Sequence, residues 1–115
     1  LFTDAFTPDG CIVTSRGETL GPDVLVTLAP NLARYRATTH LVANHDIVFD
    51  GHDTARGTVY CQASHVRDVE GVAASYVMQI AYHDRYVRDA GRWRIAERRI
   101  ELLWTEDRRL HHPSP

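Results

Sequence analysis

The second half of the chain alternates long segments rich in β-branched and aromatic residues with short polar turns. The turns DGHD, RDVEG and DAGR contain the glycine and polar residues that are typical of β-hairpins. The pattern therefore predicts an antiparallel meander. Its strand-like segments are THLVANHDIVF (39–49), TARGTVYCQASHV (54–66), ASYVMQIAYHDRYVR (74–88) and WRIAERRIELLW (93–104).

The first third of the chain has shorter elements. Pro22 opens an apolar stretch as a proline at the first helical position would, and Pro30 would stop or kink that helix. The polar end of the chain, from about residue 106, is expected to be loosely ordered. The predicted elements are the end of a helix (1–6), a turn (7–10), a short strand (11–15) and a short helix (22–29).

Composition narrows the class of protein. At 115 residues the chain is a single domain, and its formal charge of −2 disfavours a nucleic-acid-binding protein. It has no run of 18 apolar residues and no visible signal peptide, which predicts a cytoplasmic protein without membrane contact. Cys11 and Cys61 lack a metal-binding spacing, so we expect reduced thiols.

Neither face of the last two long segments is cleanly polar. Even positions from 76 to 86 include tyrosine, methionine and isoleucine, while odd positions carry valine and alanine. A sheet that is apolar on both faces requires cover on both faces. We therefore expect helices on one side and a second copy of the chain on the other, in a homodimer or homotrimer.

The order of three motifs resembles a known superfamily. FTPDG leading into a strand, THLVANHDIVFDG, and YHDRYVRDAGRWRIAERRIE are similar to the SnoaL-like branch of the nuclear-transport-factor-2-like superfamily, across residues 1–105. Within it, the chain resembles the group of scytalone dehydratase, bile-acid 7α-dehydratase and hexachlorocyclohexane dehydrochlorinase. The resemblance implies an α+β cone-shaped barrel, with a strongly curved antiparallel sheet, helices on its concave side, and an N-terminal helix that would precede Leu1.

The resemblance also implies which residues line the cavity. His40, in the pattern His-x-x-x-Asn with Asn44, matches a cavity histidine near the start of the first long strand. Arg98 matches a cavity arginine on the last strand, and Tyr82 falls at a cavity-lining aromatic position. Alignment adds three further candidate lining residues: Tyr60, Gln62 and Met78.

In that group a neutral imidazole removes a proton from an activated carbon. A carboxylate on the other ring nitrogen fixes the tautomer, and an arginine or tyrosine stabilises the charge that develops. Histidine suits the task because its ordinary pKa, about 6.5, is near working pH. The chemistry needs no cofactor or metal.

The orienting carboxylate is the main departure from the group. Alignment places that aspartate a few residues before Leu1. Asp84 is the best substitute in the chain because it shares the face of Tyr82. Asp46 has the strand parity of His40 but lies six residues along the strand, which is too far for contact. The alternative for Asp84 is a structural ion pair with one of the nearby arginines, Arg85, Arg88 or Arg94.

The other candidates also have structural alternatives. His40 could be a core histidine bonded to a backbone carbonyl, and Arg98 a solvated arginine, although apolar Ala96 and Ile100 flank it. Tyr82 could be a plain core aromatic residue. Strand alternation places His40 opposite the more apolar side of its strand, which consists of Leu41, Ala43, Ile47 and Phe49. The remaining histidines show no metal-ligand spacing; they include His45, His52 and His65.

The sequence therefore predicts a cofactor-free dehydratase, isomerase or polyketide cyclase that acts on a small polycyclic or polyketide-like molecule. His40 would be the general base, Arg98 the electrostatic stabiliser and Tyr82 a positioning residue, with Asn44 and Asp84 also contacting substrate. The alternative is a non-catalytic small-molecule-binding or assembly module of the same fold.

Overall fold

The computed structural model describes residues 2–111, which form one curved six-stranded sheet and one α-helix. The strand order is β2-β1-β6-β5-β4-β3; β1 runs parallel to β6 and all other neighbours are antiparallel. Two short 3₁₀ turns cover Phe2–Ala5 and Leu32–Arg34. The elements are β1 (Phe6–Val13), β2 (Thr19–Leu20), α1 (Pro22–Asn31), β3 (Ala37–Phe49), β4 (Thr54–Val69), β5 (Val72–Asp89) and β6 (Arg92–Arg109).

Two tight turns hold the long strands in register. Glu70 and Gly71 connect β4 to β5 with φ of 50° and 78°, and Ala90 and Gly91 connect β5 to β6 with φ of 48° and 78°. Two consecutive residues with positive φ match the twist of the flanking strands, which is why such turns dominate two-residue hairpins. The predicted meander and α+β class are confirmed.

Two segments differ from their predicted structure. Residues 7–10 do not end a helix with a turn but lie within β1, where the register with β6 shifts between Phe6 and Cys11. A Cβ on Gly10 would lie 3.0 Å from the carbonyl oxygen of Ile95, so glycine permits this close approach. At the other end, β6 continues through Arg109, past residue 106, because its backbone pairs with β5 up to Ala74.

Helix α1 packs against one face of the sheet, which we call the inner face. Leu25 of α1 is buried among Phe6, Ile12 and Ile95. Farther along the same face, a second apolar cluster forms a floor between the long strands. The members of this floor are Val59, Cys61, Ala63, Ile80 and Tyr82, with Met78 and Ile100 packed against them. No helix within residues 2–111 is long and apolar enough to cross a membrane.

Candidate functional site

A β-bulge at Asn44 determines which residues of β3 reach the inner face. Ala43 pairs with Tyr60 and His45 with Val59, so Asn44 is left without a partner and adopts φ 53°. Asparagine tolerates this left-handed conformation better than most residues. One extra residue reverses the alternation of the strand beyond it.

The bulge therefore corrects the predicted faces of β3. His40 pairs with Ala63 on the inner face, and after the bulge Ile47 and Phe49 lie on that same face. The prediction that His40 lies opposite Ile47 and Phe49 was wrong. It assumed an unbroken period of two. Asp46 is moved to the outer face with Thr58 by the same shift.

Two histidines and two tyrosines form a histidine cluster at one end of the inner face: Tyr35, His40, His65 and Tyr76. The His40 and His65 rings meet edge to face at 5.7 Å, and Tyr35 lies 4.8 Å from His65. His65 is 7% exposed, and its Nδ1 has no hydrogen-bond partner.

Both imidazoles of this cluster favour the neutral form. Burial lowers the pKa of His40. Burial also lowers the pKa of His65, and repulsion from His40 adds to the effect, while a hydrogen bond with the Tyr76 backbone opposes it. The cluster therefore presents two uncharged rings and one buried nitrogen without a partner.

A second polar cluster surrounds Asp84, whose side chain has no exposed surface. Arg98 Nε and Nη2 donate to the two carboxylate oxygens at 2.8 and 2.7 Å, and the Tyr86 hydroxyl donates to Oδ2 at 2.8 Å. His45 Nε2 lies 3.0 Å from the Tyr86 hydroxyl. Since that hydroxyl already donates to Asp84, it accepts a hydrogen bond from the Nε2–H group of His45.

The two clusters approach each other through Tyr82. The guanidinium of Arg98 stacks over the Tyr82 ring at 4.1 Å, and Tyr82 packs in the same apolar cluster as Cys61. Burial is the main reason that the pKa of Tyr82 is raised, so its hydroxyl remains a neutral donor. Burial alone would lower the pKa of Arg98, but hydrogen bonds to Asp84 and its charge raise it.

His40 and Arg98 are not in contact. His40 pairs with Ala63 of β4, while Arg98 pairs with Asp84 of β5, which in turn pairs with Gly57 of β4. Ala63 and Gly57 are six residues apart, or roughly 20 Å along the strand. Tyr82 lies between the two residues, because it packs in the same cluster as Cys61 and Ala63, and Ala63 is the pairing partner of His40. Within residues 2–111, no carboxylate lies within ion-pair distance of His40.

The remaining predicted site residues divide between the two faces. Met78 lies on the inner face, opposite Ala63. Tyr60 and Gln62 alternate with Cys61 and lie on the outer face, so the structure does not bring them into either cluster. Asp84 forms an ion pair, as the structural alternative predicted, but its partner is Arg98 and not one of the three arginines considered.

Sequence reasoning missed His65, Tyr86 and His45. His65 alternates with the apolar Ala63 and Cys61 on β4, which was a usable signal that it faces inward. Tyr86 has the parity of Tyr82 and Asp84 on β5. Only the bulge places His45 beside it, and nothing in the sequence marks the bulge. Within the described residues, no three His, Cys, Asp or Glu side chains are grouped as metal ligands.

Comparison with known proteins agrees with this architecture. A family model described as SnoaL-like domain matches residues 1–99. No curated protein sequence matches the chain significantly.

Several solved structures share the fold at low sequence identity. A type-2 hexachlorocyclohexane dehydrochlorinase has a TM-score of 0.79 at 22% identity, covering 98% of this chain and 77% of that one. A putative scytalone dehydratase from Novosphingobium aromaticivorans has a TM-score of 0.79 at 19% identity, covering 98% and 76%. The Kfla4162 protein from Kribbella flavida has a TM-score of 0.78 at 19% identity, covering 91% and 76%.

Proposed function

The chain belongs to the SnoaL-like domain family, and we propose that it is a cofactor-free proton-transfer enzyme acting on a small apolar molecule. The observation that carries this proposal is the pair of neutral imidazoles, His40 and His65, at the edge of an apolar floor. The names of two similar structures, a dehydrochlorinase and a putative dehydratase, support elimination as the reaction type.

His40 is the general base of the proposed reaction. Because burial lowers its pKa, it is uncharged at neutral pH and can accept a proton from carbon. The electron pair of the broken C–H bond forms a double bond as a leaving group departs, or an enolate if a carbonyl is adjacent. His65 packs edge-on against His40 and holds the ring in place.

Tyr82 and Arg98 stabilise the developing negative charge. The Tyr82 hydroxyl is a neutral hydrogen-bond donor on the same face as His40. The positive charge of the stacked Arg98 makes it a stronger donor. Two of the Arg98 nitrogens are committed to Asp84, whose charge offsets that of the guanidinium. The electrostatic role of Arg98 is therefore exerted mainly through Tyr82.

The floor between these groups determines the substrate class. It is lined by aliphatic and sulfur-containing side chains and offers few polar partners. A polycyclic or polyketide-like substrate would contact the partly buried residues of this cluster, Met78 and Ile100, with the acidic carbon near His40 and the oxygen or leaving group near Tyr82.

Turnover of polycyclic β-hydroxy ketones and chlorinated rings, followed by mass spectrometry, tests this proposal. We expect His40→Gln and Tyr82→Phe to lower kcat by about 10² or more. The matched controls are His52→Gln, in an exposed turn, and Tyr60→Phe, on the outer face, and both should retain activity. Full activity of His40→Gln on any substrate found would refute the assignment of the base.

A non-catalytic binding module is the second candidate function. It is favoured by the lack of a carboxylate partner for His40 within residues 2–111 and by the commitment of Arg98 to Asp84. Tight binding of such compounds without turnover, unchanged in His40→Gln, would identify this function instead.

A further inference from the structure

A separate cavity of about 320 Å³ lies beyond Asp84, at the end of the inner face opposite the histidine cluster. We call it the aromatic pocket. Neither His40 nor His65 lines it. Its apolar wall includes Ile47, Phe49 and Trp93, and its polar wall consists of His45, Tyr86 and Arg94.

Two aromatic rings form an exposed edge of this pocket. Phe49 and Trp93 meet edge to face at 5.6 Å, and they are 65% and 36% exposed. Large apolar side chains exposed next to each other at a concavity are typical of a ligand site. A flat aromatic ligand could pack against both rings.

Arg94 supplies an unsatisfied positive group in the same wall. Its Nε is buried and has no hydrogen-bond partner. Within residues 2–111 no carboxylate is within ion-pair distance of its guanidinium, although its charge attracts that of Asp4. A buried donor without an acceptor is unfavourable, and an anionic ligand would remove that cost.

The opposite polar wall is fixed in position. The Tyr86 hydroxyl donates a hydrogen bond to Asp84 and accepts one from His45. Neither the Tyr86 ring nor the His45 ring can therefore rotate without breaking a hydrogen bond. Tyr86 also packs against the β4 backbone at Gly57, where a Cβ would lie 2.9 Å from its ring. A preformed wall lowers the entropic cost of binding.

We propose that the aromatic pocket binds an aromatic monocarboxylate, with the ring against Phe49 and Trp93 and the carboxylate on Arg94. The volume suits a one- or two-ring acid, since it lies at the lower end of the range for small-molecule sites. The charge of Arg94 selects the acid over its neutral analogues.

Titration calorimetry with 2-naphthoate and 2-naphthamide tests this site without any substitution. The two probes share the ring system and differ in charge. We expect naphthoate to bind at least 10-fold more tightly, because charge-assisted hydrogen bonds are about twice as strong as neutral ones. Equal affinity of the two probes, or no binding of naphthoate, would overturn the proposal.

Arg94→Gln, with Arg92→Gln as its control, tests whether Arg94 binds the carboxylate of the ligand. Arg92 is exposed at the start of β6 and does not line the pocket. Arg94→Gln should weaken naphthoate binding 10- to 100-fold and abolish the preference over naphthamide, while Arg92→Gln should change neither. Equal losses in both variants would show nonspecific charge attraction and refute the site.

Two further variants separate the ring contact from the charge and this pocket from the histidine cluster. Phe49→Ala, at an exposed position that can be shortened without unfolding, should weaken both probes by a similar factor. His40→Gln should leave naphthoate affinity unchanged. If His40→Gln abolished binding, the probe would occupy the histidine cluster and the proposed pocket would be wrong.

Discussion

Replacing Arg98 with methionine tests the buried ion pair that organises the inner face. Asp84 has no exposed side-chain surface and accepts three hydrogen bonds, two of them from Arg98. Arg98→Met keeps most of the side-chain length but leaves the carboxylate with only Tyr86. Removing one partner of a buried pair costs about 3–5 kcal/mol. Two charge-assisted hydrogen bonds at about 1.5–3 kcal/mol each give a similar sum.

The assay is urea unfolding followed by tryptophan fluorescence, with Arg99→Met as the matched control. Arg99 is the next residue on β6, and its side chain is 57% exposed in an ion pair with Glu97. Exposed pairs contribute about 0–1 kcal/mol, so the control should unfold almost as the wild type does.

A double variant separates the loss of the pair from the loss of packing. Asp84→Asn combined with Arg98→Met removes the charge that Arg98→Met leaves buried and unpaired. We expect the double variant to be more stable than the sum of the single losses predicts, by about 2 kcal/mol or more. The reasoning would be refuted if Arg98→Met cost less than about 1 kcal/mol, or if the two losses were simply additive.

Three further predictions follow from single features. Because the folded-state pKa of His65 is lowered, the unfolded chain binds more protons, so stability should fall as pH decreases below about 6.5; His65→Phe should flatten this slope in urea midpoints measured from pH 5 to 8. Gly57→Ala should cost about 1–3 kcal/mol, since its Cβ would meet a backbone oxygen and the Tyr86 ring at 2.9 Å, whereas Gly51→Ala, with 4.0 Å to its nearest atom, should unfold like the wild type. Light scattering should show the predicted homo-oligomer, and Trp104→Glu, at a 59% exposed outer-face position, should reduce its mass; a monomeric wild type would contradict this.

The strands and their turns could be predicted because they depend on local sequence. Glycine follows a polar or small residue at the two tight turns, β4–β5 and β5–β6, and β-branched residues are frequent in the strand segments. The bulge at Asn44 could not be predicted, because a single unpaired asparagine looks like any polar position in a strand. That one residue determines the face of His45, Asp46, Ile47 and Phe49.

The partner of Asp84 depends on register rather than on local sequence. Arg98 is 14 residues away and lies opposite Asp84 only because of the length of the β5–β6 turn and the position of the bulge near Tyr86. The arginines nearest in sequence were therefore the wrong candidates. His65 was considered only as a metal ligand and was rejected in that role, although its parity with Cys61 indicated an inner-face position.

The most direct test of the proposed function is the ionisation of His40 and His65, measured by the ¹⁵N chemical shifts of their ring nitrogens from pH 5 to 8. We predict that both rings are neutral at pH 7 and that both pKa values lie below the ordinary value of about 6.5, because burial disfavours the charged form. His40→Gln and His65→Gln assign the two signals. A His40 ring that is still protonated at pH 7 could not accept a proton from carbon, and would contradict its role as the general base.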